Sequence, residues 1–298
     1  MKYFYELNEY LKQKYKTRVQ KITISLPFTC PHGRCSYCYD GSKTPYNNVS
    51  IPLKQQIENG IVYGKKRYGE NTKFIAYFQS YSNTNKPFDE LKKYYDEVLN
   101  YGEIIGMSIG TRPDCVDDEK ISLIETYVDK NIEVWLELGL QSANDKTLSK
   151  INRGHTVKQF LDVYEKIKKT RIKTVIHIII GLPGEDKQDF HKTAKMVALL
   201  HPFGVKIHPL YIIDKTVLAE EYKIKSFKVL GLEEYIENLT DILEILPPDI
   251  IIMRFTAEAP QDLLIAPDYC SSQYKNKIKE LLLQEFVKRE SWQGSRGI

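Results

Sequence analysis

A partial (β/α)6, TIM-like barrel of the α/β class, followed by an α/β extension, is the fold this sequence predicts, and three observations carry the expectation. Apolar, β-branched runs alternate with helical patterns, as they do in a parallel sheet with crossover helices. The segments richest in chemistry fall directly after successive strand candidates, where barrels gather their sites. The 298 residues, 42% hydrophobic, suffice for one substantial core.

The strand candidates are residues 21–27, 73–79, 104–110, 133–140, 173–181 and 204–211, each rich in Ile, Val, Phe or Tyr. Helical patterns lie between them near 52–68, 86–101, 117–130, 156–170 and 187–201. After Tyr211 the alternation weakens. A helix near 231–246 is stopped by Pro247 and Pro248, a strand-like run spans 250–255, and a last helix covers about 273–290. The expected organisation is a basic N-terminal segment (1–20), a barrel (21–212) and an extension that caps or completes it (213–298). No repeat or low-complexity tract interrupts the chain.

The net charge of +4 is small, but basic residues bunch at Lys12, Lys14, Lys16, Arg18 and Lys21, interleaved with Tyr10 and Tyr15. Such a stretch suits a polyanion, or is simply a solvated face. The N-terminus lacks the apolar core of a signal peptide, and the longest strongly apolar run, 175–182, is too short to span a bilayer. A cytoplasmic protein without membrane contact is expected. The five cysteines are an odd set with three bunched together, which is a poor disulfide framework.

Those three, Cys30, Cys35 and Cys38, fall in Cys-Pro-His-Gly-Arg-Cys-Ser-Tyr-Cys, directly after the first strand candidate. Four thiolates saturate a [4Fe–4S] cluster, so three leave one iron with an open position for a ligand. Zinc is the competing reading, with His32 as fourth ligand, although a closed zinc site normally draws two ligand pairs from separate turns. Cys115 and Cys270 are too few for a second cluster and are expected to be buried apolar residues.

The cysteine loop resembles that of radical SAM enzymes. The resemblance extends through Ile75–Thr84, Ser108–Cys115, Val134–Ser142, Ile151–His155, Gly181–Asp186 and Lys206–Leu210, which look like the YhcC-type family and its MnmL-like subgroup. Residues 141–155 also resemble the radical SAM domain of the Elongator catalytic subunit. This resemblance implies a radical SAM barrel in which Cys30, Cys35 and Cys38 hold a [4Fe–4S] cluster whose fourth iron binds S-adenosylmethionine. Reductive cleavage of that molecule, driven by an external donor of the flavodoxin or ferredoxin type, is then expected to give a 5′-deoxyadenosyl radical.

The same resemblance implies the cofactor contacts. Tyr37 takes the aromatic position beside the adenine. Gln79, Ser80 and Ser82 stand where the family often has Gly-Gly-Glu after strand two. Gln141 with Ser142 follows strand four, and Arg153 lies twelve residues beyond Gln141. A guanidinium suits the methionine carboxylate because it offers paired donors in one plane. His177, in the fifth strand candidate, is expected to line the cofactor or substrate cavity, the alternative being a hydrogen-bonded core histidine.

The MnmL-like subgroup implies a tRNA substrate carrying a 5-carboxymethylaminomethyl-type wobble uridine. The basic N-terminal stretch and the tail with Lys288, Arg289 and Trp292 are the residues expected to meet RNA. A small metabolite as substrate, or a zinc-stabilised RNA-binding protein without catalysis, are the competing readings.

Overall fold

The structure, a computed structural model, describes residues 2–39 and 48–297. A helix, α1 (Leu7–Tyr15), precedes the barrel. Its strands are β1 (Val19–Ile24), β2 (Lys73–Phe78), β3 (Ile104–Thr111), β4 (Glu133–Gln141), β5 (Lys173–Ile180) and β6 (Gly204–Pro209). Between them run α2 (Leu53–Tyr68), α3 (Phe88–Glu97), α4 (Asp118–Asp129), the short α5 (Asp145–Lys150), α6 (Val157–Ile167) and α7 (Lys187–Leu200).

The extension contributes β7 (Ile212–Ile213), α8 (Val217–Lys223), α9 (Leu232–Ile245), β8 (Ile251–Arg254), β9 (Leu264–Ala266) and α10 (Lys275–Lys288). All neighbours in the main sheet are parallel, in the order β1-β2-β3-β4-β5-β6-β8. The six expected strands are present, and the run near 250 becomes a seventh that extends the half-barrel beside β6. β1 begins two residues before its expected start, because Val19 and Gln20 pair with Lys73 and Phe74. β7 and β9 form a separate antiparallel pair.

Local chemistry explains the helix starts. Asp117, Thr156 and Asp186 each accept a backbone N–H of the first turn, and Thr156 and Asp186 complete reciprocal capping boxes with Gln159 and Asp189. Alternate strand residues divide the core. Ile22, Phe78, Ile109, Leu136, Leu138, Ile176 and Ile207 face the helices in one large apolar cluster. The opposite faces fill the barrel in layers.

At the N-terminal ends of the strands, Leu11 of α1 packs with Val19, Ile75, Trp135 and Val175. This plug closes one end of the barrel. Glu133 ties the plug down, receiving hydrogen bonds from Tyr10, Tyr15, Trp135, Lys14 and Lys173. The N-terminal basic stretch is therefore part of the barrel's closed end. Lys14 pairs with Glu133, Lys21 with Glu137 at 2.7 Å, and the Arg18 guanidinium lies 4.6 Å from the Tyr68 ring centroid. In the tail, Arg289 is bound by Asp241 and Glu285 at 2.7 Å each, and Lys288 by Glu285 at 3.0 Å. Much of the positive charge expected for RNA is thus spent on internal pairs. Among the described residues no helix is long and apolar enough to cross a membrane.

Candidate active site: a three-thiol cavity at the open end of the barrel

The cysteine loop leaves β1 and is clamped from two sides. The Ser36 N–H donates to the Ile151 carbonyl at 2.9 Å, the Leu218 N–H donates to the Ser36 carbonyl at 2.9 Å, and Asn152 Nδ2 donates to the Arg34 carbonyl at 2.7 Å. The turn that clamps the loop also delivers Arg153. Asn152 sits in the left-handed region (φ 50°) and the Arg153 N–H returns to the Leu148 carbonyl, so the next side chain turns inward.

Arg153 Nη1 lies 3.5 Å from Cys35 Sγ and Nη2 donates to the Gly139 carbonyl at 2.8 Å. A Cβ at Gly139 would sit 2.4 Å from Arg153 Nη2 and 2.5 Å from Gln141 Nε2, so a larger residue there would push the ends of both side chains from their places. β4 slips register between Gly139 and Gln141, and Gln141 itself has φ 73°. A non-glycine residue in that region costs of order 1–3 kcal/mol and is kept where the surroundings demand it.

Cys30, Cys35 and Cys38 line one cavity of about 230 Å³ together with Gln141, Arg153 and His177. Tyr37, Cys38, Gln79 and Tyr81 also line a second, adjoining cavity of about 570 Å³, whose wall includes Ser80, Tyr39 and Tyr211. Of the expected cofactor contacts, Tyr37, Gln79, Gln141, Arg153 and His177 are brought together in the inner cavity, and Ser80 stands in the outer one, its hydroxyl 3.2 Å from that of Ser25.

Ser142 is the exception. It is fully buried and its hydroxyl donates to Glu185 while accepting the Asn144 N–H, because the strand has already turned at Gln141 and carries the next side chain to the outer layer. Ser142 braces that turn and does not line the cavity. Glu185, enclosed with Ser142 and Thr147, is pushed up to about 7 by burial.

The donor set fits an iron–sulfur cluster and a ligand on it. Burial, and then the charges of Cys35 and Cys30, push the Cys38 thiol up to about 11, and a bound metal would convert such a thiol to a thiolate ligand. Arg153 Nε and His32 Nδ1 are buried polar atoms with no protein partner, so the wall retains unspent hydrogen-bonding capacity. Among the described residues no three His, Cys, Asp or Glu side chains gather tightly enough to share one ion.

Ser82, one of the polar residues expected after strand two, is buried and places its hydroxyl 3.2 Å from Cys30 Sγ. Other contributors were not singled out in the sequence. Arg112, almost fully buried and paired with Asp114 at 2.9 Å, reaches His32 Nε2 at 3.1 Å on the cysteine loop. Glu137 lies below the cavity with its two oxygens shared among Lys21, Ser108, His177 and Lys206. Two carboxylates four residues apart in an otherwise apolar strand, Glu133 and Glu137, were the available signal: both point into the barrel.

Comparison with known proteins agrees with this geometry. Residues 24–197 match the model of the radical SAM superfamily, and 202–284 match the Radical_SAM C-terminal domain. An uncharacterized protein of Methanocaldococcus jannaschii is 36% identical over 98% of this chain and 92% of its own length. The YhcC protein of Escherichia coli K12 is 31% identical over 96% and 92%. A partial match, 29% identical over 60% of this chain and 41% of the other, is the tRNA-2-methylthio-N(6)-dimethylallyladenosine synthase of Fusobacterium nucleatum.

Among solved structures, the archaeal Elp3 of Methanocaldococcus infernus superposes with a TM-score of 0.71 at 19% identity, over 93% of this chain and 64% of that one. This likeness concerns the fold. The chain belongs to the radical SAM superfamily, within its YhcC-type family, and is an enzyme whose cofactors are a [4Fe–4S] cluster and S-adenosylmethionine.

Proposed function

We propose that this enzyme modifies a tRNA nucleoside, a 5-carboxymethylaminomethyl-type wobble uridine, by radical chemistry. When bound, the reduced cluster and S-adenosylmethionine supply a 5′-deoxyadenosyl radical that takes a hydrogen atom from the substrate. The protein's part is to hold, orient and shield. Cys30, Cys35 and Cys38 would hold the cluster, Arg153 and Gln141 the methionine end, and Tyr37 the adenine. An electron donor of the flavodoxin or ferredoxin type would feed the site.

The observation that carries the substrate reading is that the thiol cavity adjoins a second one walled by Tyr37, Tyr39, Tyr81 and Tyr211. A base flipped out of a loop stacks on such rings, each contact contributing about 1–3 kcal/mol. The partial match to a tRNA-modifying synthase points the same way. The internal pairing of the basic stretches favours a second reading, a small metabolite, because less free positive charge is left for a phosphate backbone.

The test is anaerobic reconstitution with iron and sulfide, then incubation with dithionite, S-adenosylmethionine and tRNA from cells lacking the protein, followed by nucleoside mass spectrometry. An altered wobble uridine together with 5′-deoxyadenosine is expected. 5′-Deoxyadenosine with unchanged tRNA and no tRNA binding would move the substrate to small metabolites. Absence of 5′-deoxyadenosine under every condition would defeat the radical reading.

A further inference from the structure

Helix α8 lies against the cysteine loop and turns an apolar face to solvent. The Leu218 N–H donates to the Ser36 carbonyl at 2.9 Å, and Ser36 directly follows Cys35 in the chain. On its inner side the helix is well anchored, since Leu218, Ala219 and Tyr222 pack with Leu148 of α5 and with Tyr37 of the loop. On its outer side Val217 is 64% exposed and Ile224, at the helix C-cap, is 78% exposed. Seven residues make two helical turns, so both side chains stand on one face. Single exposed aliphatics are ordinary, whereas an aligned pair beside a reactive loop marks a contact surface.

The charges on α5 and on residues 214–228 are unbalanced. Asp214 and Glu220 are held by Lys223 at 3.4 and 2.8 Å, and Asp145 accepts the Val157 N–H at 2.7 Å. Lys146, Lys150, Lys215, Lys225 and Lys228 are exposed and enter no ion pair among the described residues. Against these five lysines stands one acid of the same segments without such a pair, Glu221. We infer that the exposed face of α8 is the docking surface of an acidic one-electron carrier protein, the donor that reduces the cluster.

This rests on the reading of Cys30, Cys35 and Cys38 as cluster ligands. The electron has to come from another molecule, because Cys115 and Cys270, both buried, are too few to hold a second cluster. One electron leaves the carrier, which is oxidised, and enters the cluster, which is reduced; no bond is made or broken. From Val217 the route inward is one peptide unit to Leu218, one hydrogen bond to Ser36, and one residue to Cys35. Positive charge around an apolar centre complements a carrier whose acidic rim surrounds the exposed edge of its redox group, and such complementarity steers the encounter. The exposed side chains of α8 are aliphatic, whereas unpaired RNA bases stack on aromatic or guanidinium planes, so a protein partner fits this face and RNA does not.

The test mixes anaerobically reconstituted protein with flavodoxin hydroquinone, reduced ferredoxin or dithionite in a stopped-flow cell and follows the bleaching of the cluster. At least one carrier should reduce the wild-type protein, with a second-order rate constant that falls as salt is raised. For that carrier, reversing three charges together (Lys215→Glu, Lys225→Glu and Lys228→Glu) should lower the rate constant roughly tenfold at low salt and flatten its salt dependence. Placing charge on the apolar pair (Val217→Asp with Ile224→Asp) should lower it about fivefold, while dithionite reduces both variants within about threefold of the wild-type rate. Replacing the same three lysines by arginine, which keeps the charge, should hold the carrier rate within about twofold. An unchanged carrier rate in the charge-reversed protein, an equal loss with dithionite, or a cluster that dithionite reduces and neither carrier does, overturns the assignment. A tenfold loss of tRNA affinity with carrier reduction intact would also overturn it, making the face an RNA surface. A wild-type protein that takes up no cluster would instead refute the ligand reading beneath it.

Discussion

The two ends of this barrel are made from the same seven strands and behave as opposites. At the closed end a buried carboxylate, Glu133, is surrounded by donors and cations, and although burial works against it, Lys14 and Lys173 bring it down to about 2. At the open end Glu185 is enclosed without a cation hydrogen-bonded to it, and burial pushes it up to about 7. Helix α1 turns one mouth into core, whereas the other keeps unpartnered nitrogens, a left-handed glutamine and a cavity. Stability and chemistry have been placed at opposite ends, as barrels generally place them.

The largest way to break this contrast is to exchange the losses. Cys35→Ala should remove the iron and the brown colour while leaving the far-ultraviolet circular dichroism unchanged. A variant that keeps its iron would show that Cys35 is not a ligand. Trp135→Ala should do the reverse. It opens a hole in the plug and costs about 3–5 kcal/mol by denaturant titration, yet iron per folded molecule should stay constant.

The pair of carboxylates sharpens the comparison through pH. Glu185 has its folded pKa raised from 4.5 to about 7, so its contribution is intact below 4.5 and lost as pH climbs through 7. Glu185→Gln should therefore gain roughly 2 kcal/mol at pH 8 and little at pH 4. Glu133 has its folded pKa lowered, so its contribution is present above 4.5 and fades as pH falls toward 2. Glu133→Gln should flatten the acid limb of the stability curve. Equal responses of the two variants at both extremes would erase the distinction.

The smallest effect concerns Lys12 and Lys16, exposed at the closed end. Reversing both charges should change stability by less than about 0.5 kcal/mol. It should also leave tRNA affinity within about threefold, because these lysines sit at the end of the barrel away from the thiol cavity. A loss of tenfold or more in a filter-binding assay would establish the N-terminal stretch as an RNA footprint.

Much of the site was readable because its signals are local. The spacing of Cys30, Cys35 and Cys38, and the position of Gln79 and Gln141 after apolar strands, are short-range patterns that survive without coordinates. The destination of Ser142 was not readable, since it hinges on a register slip at Gly139 and a φ of 73° at Gln141. The internal pairing of part of the basic N-terminal stretch was hidden for a related reason. Linear clustering of lysines says nothing of Glu133 and Glu137, more than a hundred residues away, which two of them serve.

Taken alone, the order of amino acids determined the half-barrel, the end at which the thiols emerge, and the metal chemistry three clustered sulfurs can support. Each of these follows from periodicity or spacing within one element. Only the tertiary structure decided that α1 is a plug, that β8 extends the sheet, and that Glu137 gathers Lys21, Ser108, His177 and Lys206 beneath the cavity. Those features are sums over contacts between distant segments, and burial sets their charges and tautomers, which no local pattern encodes.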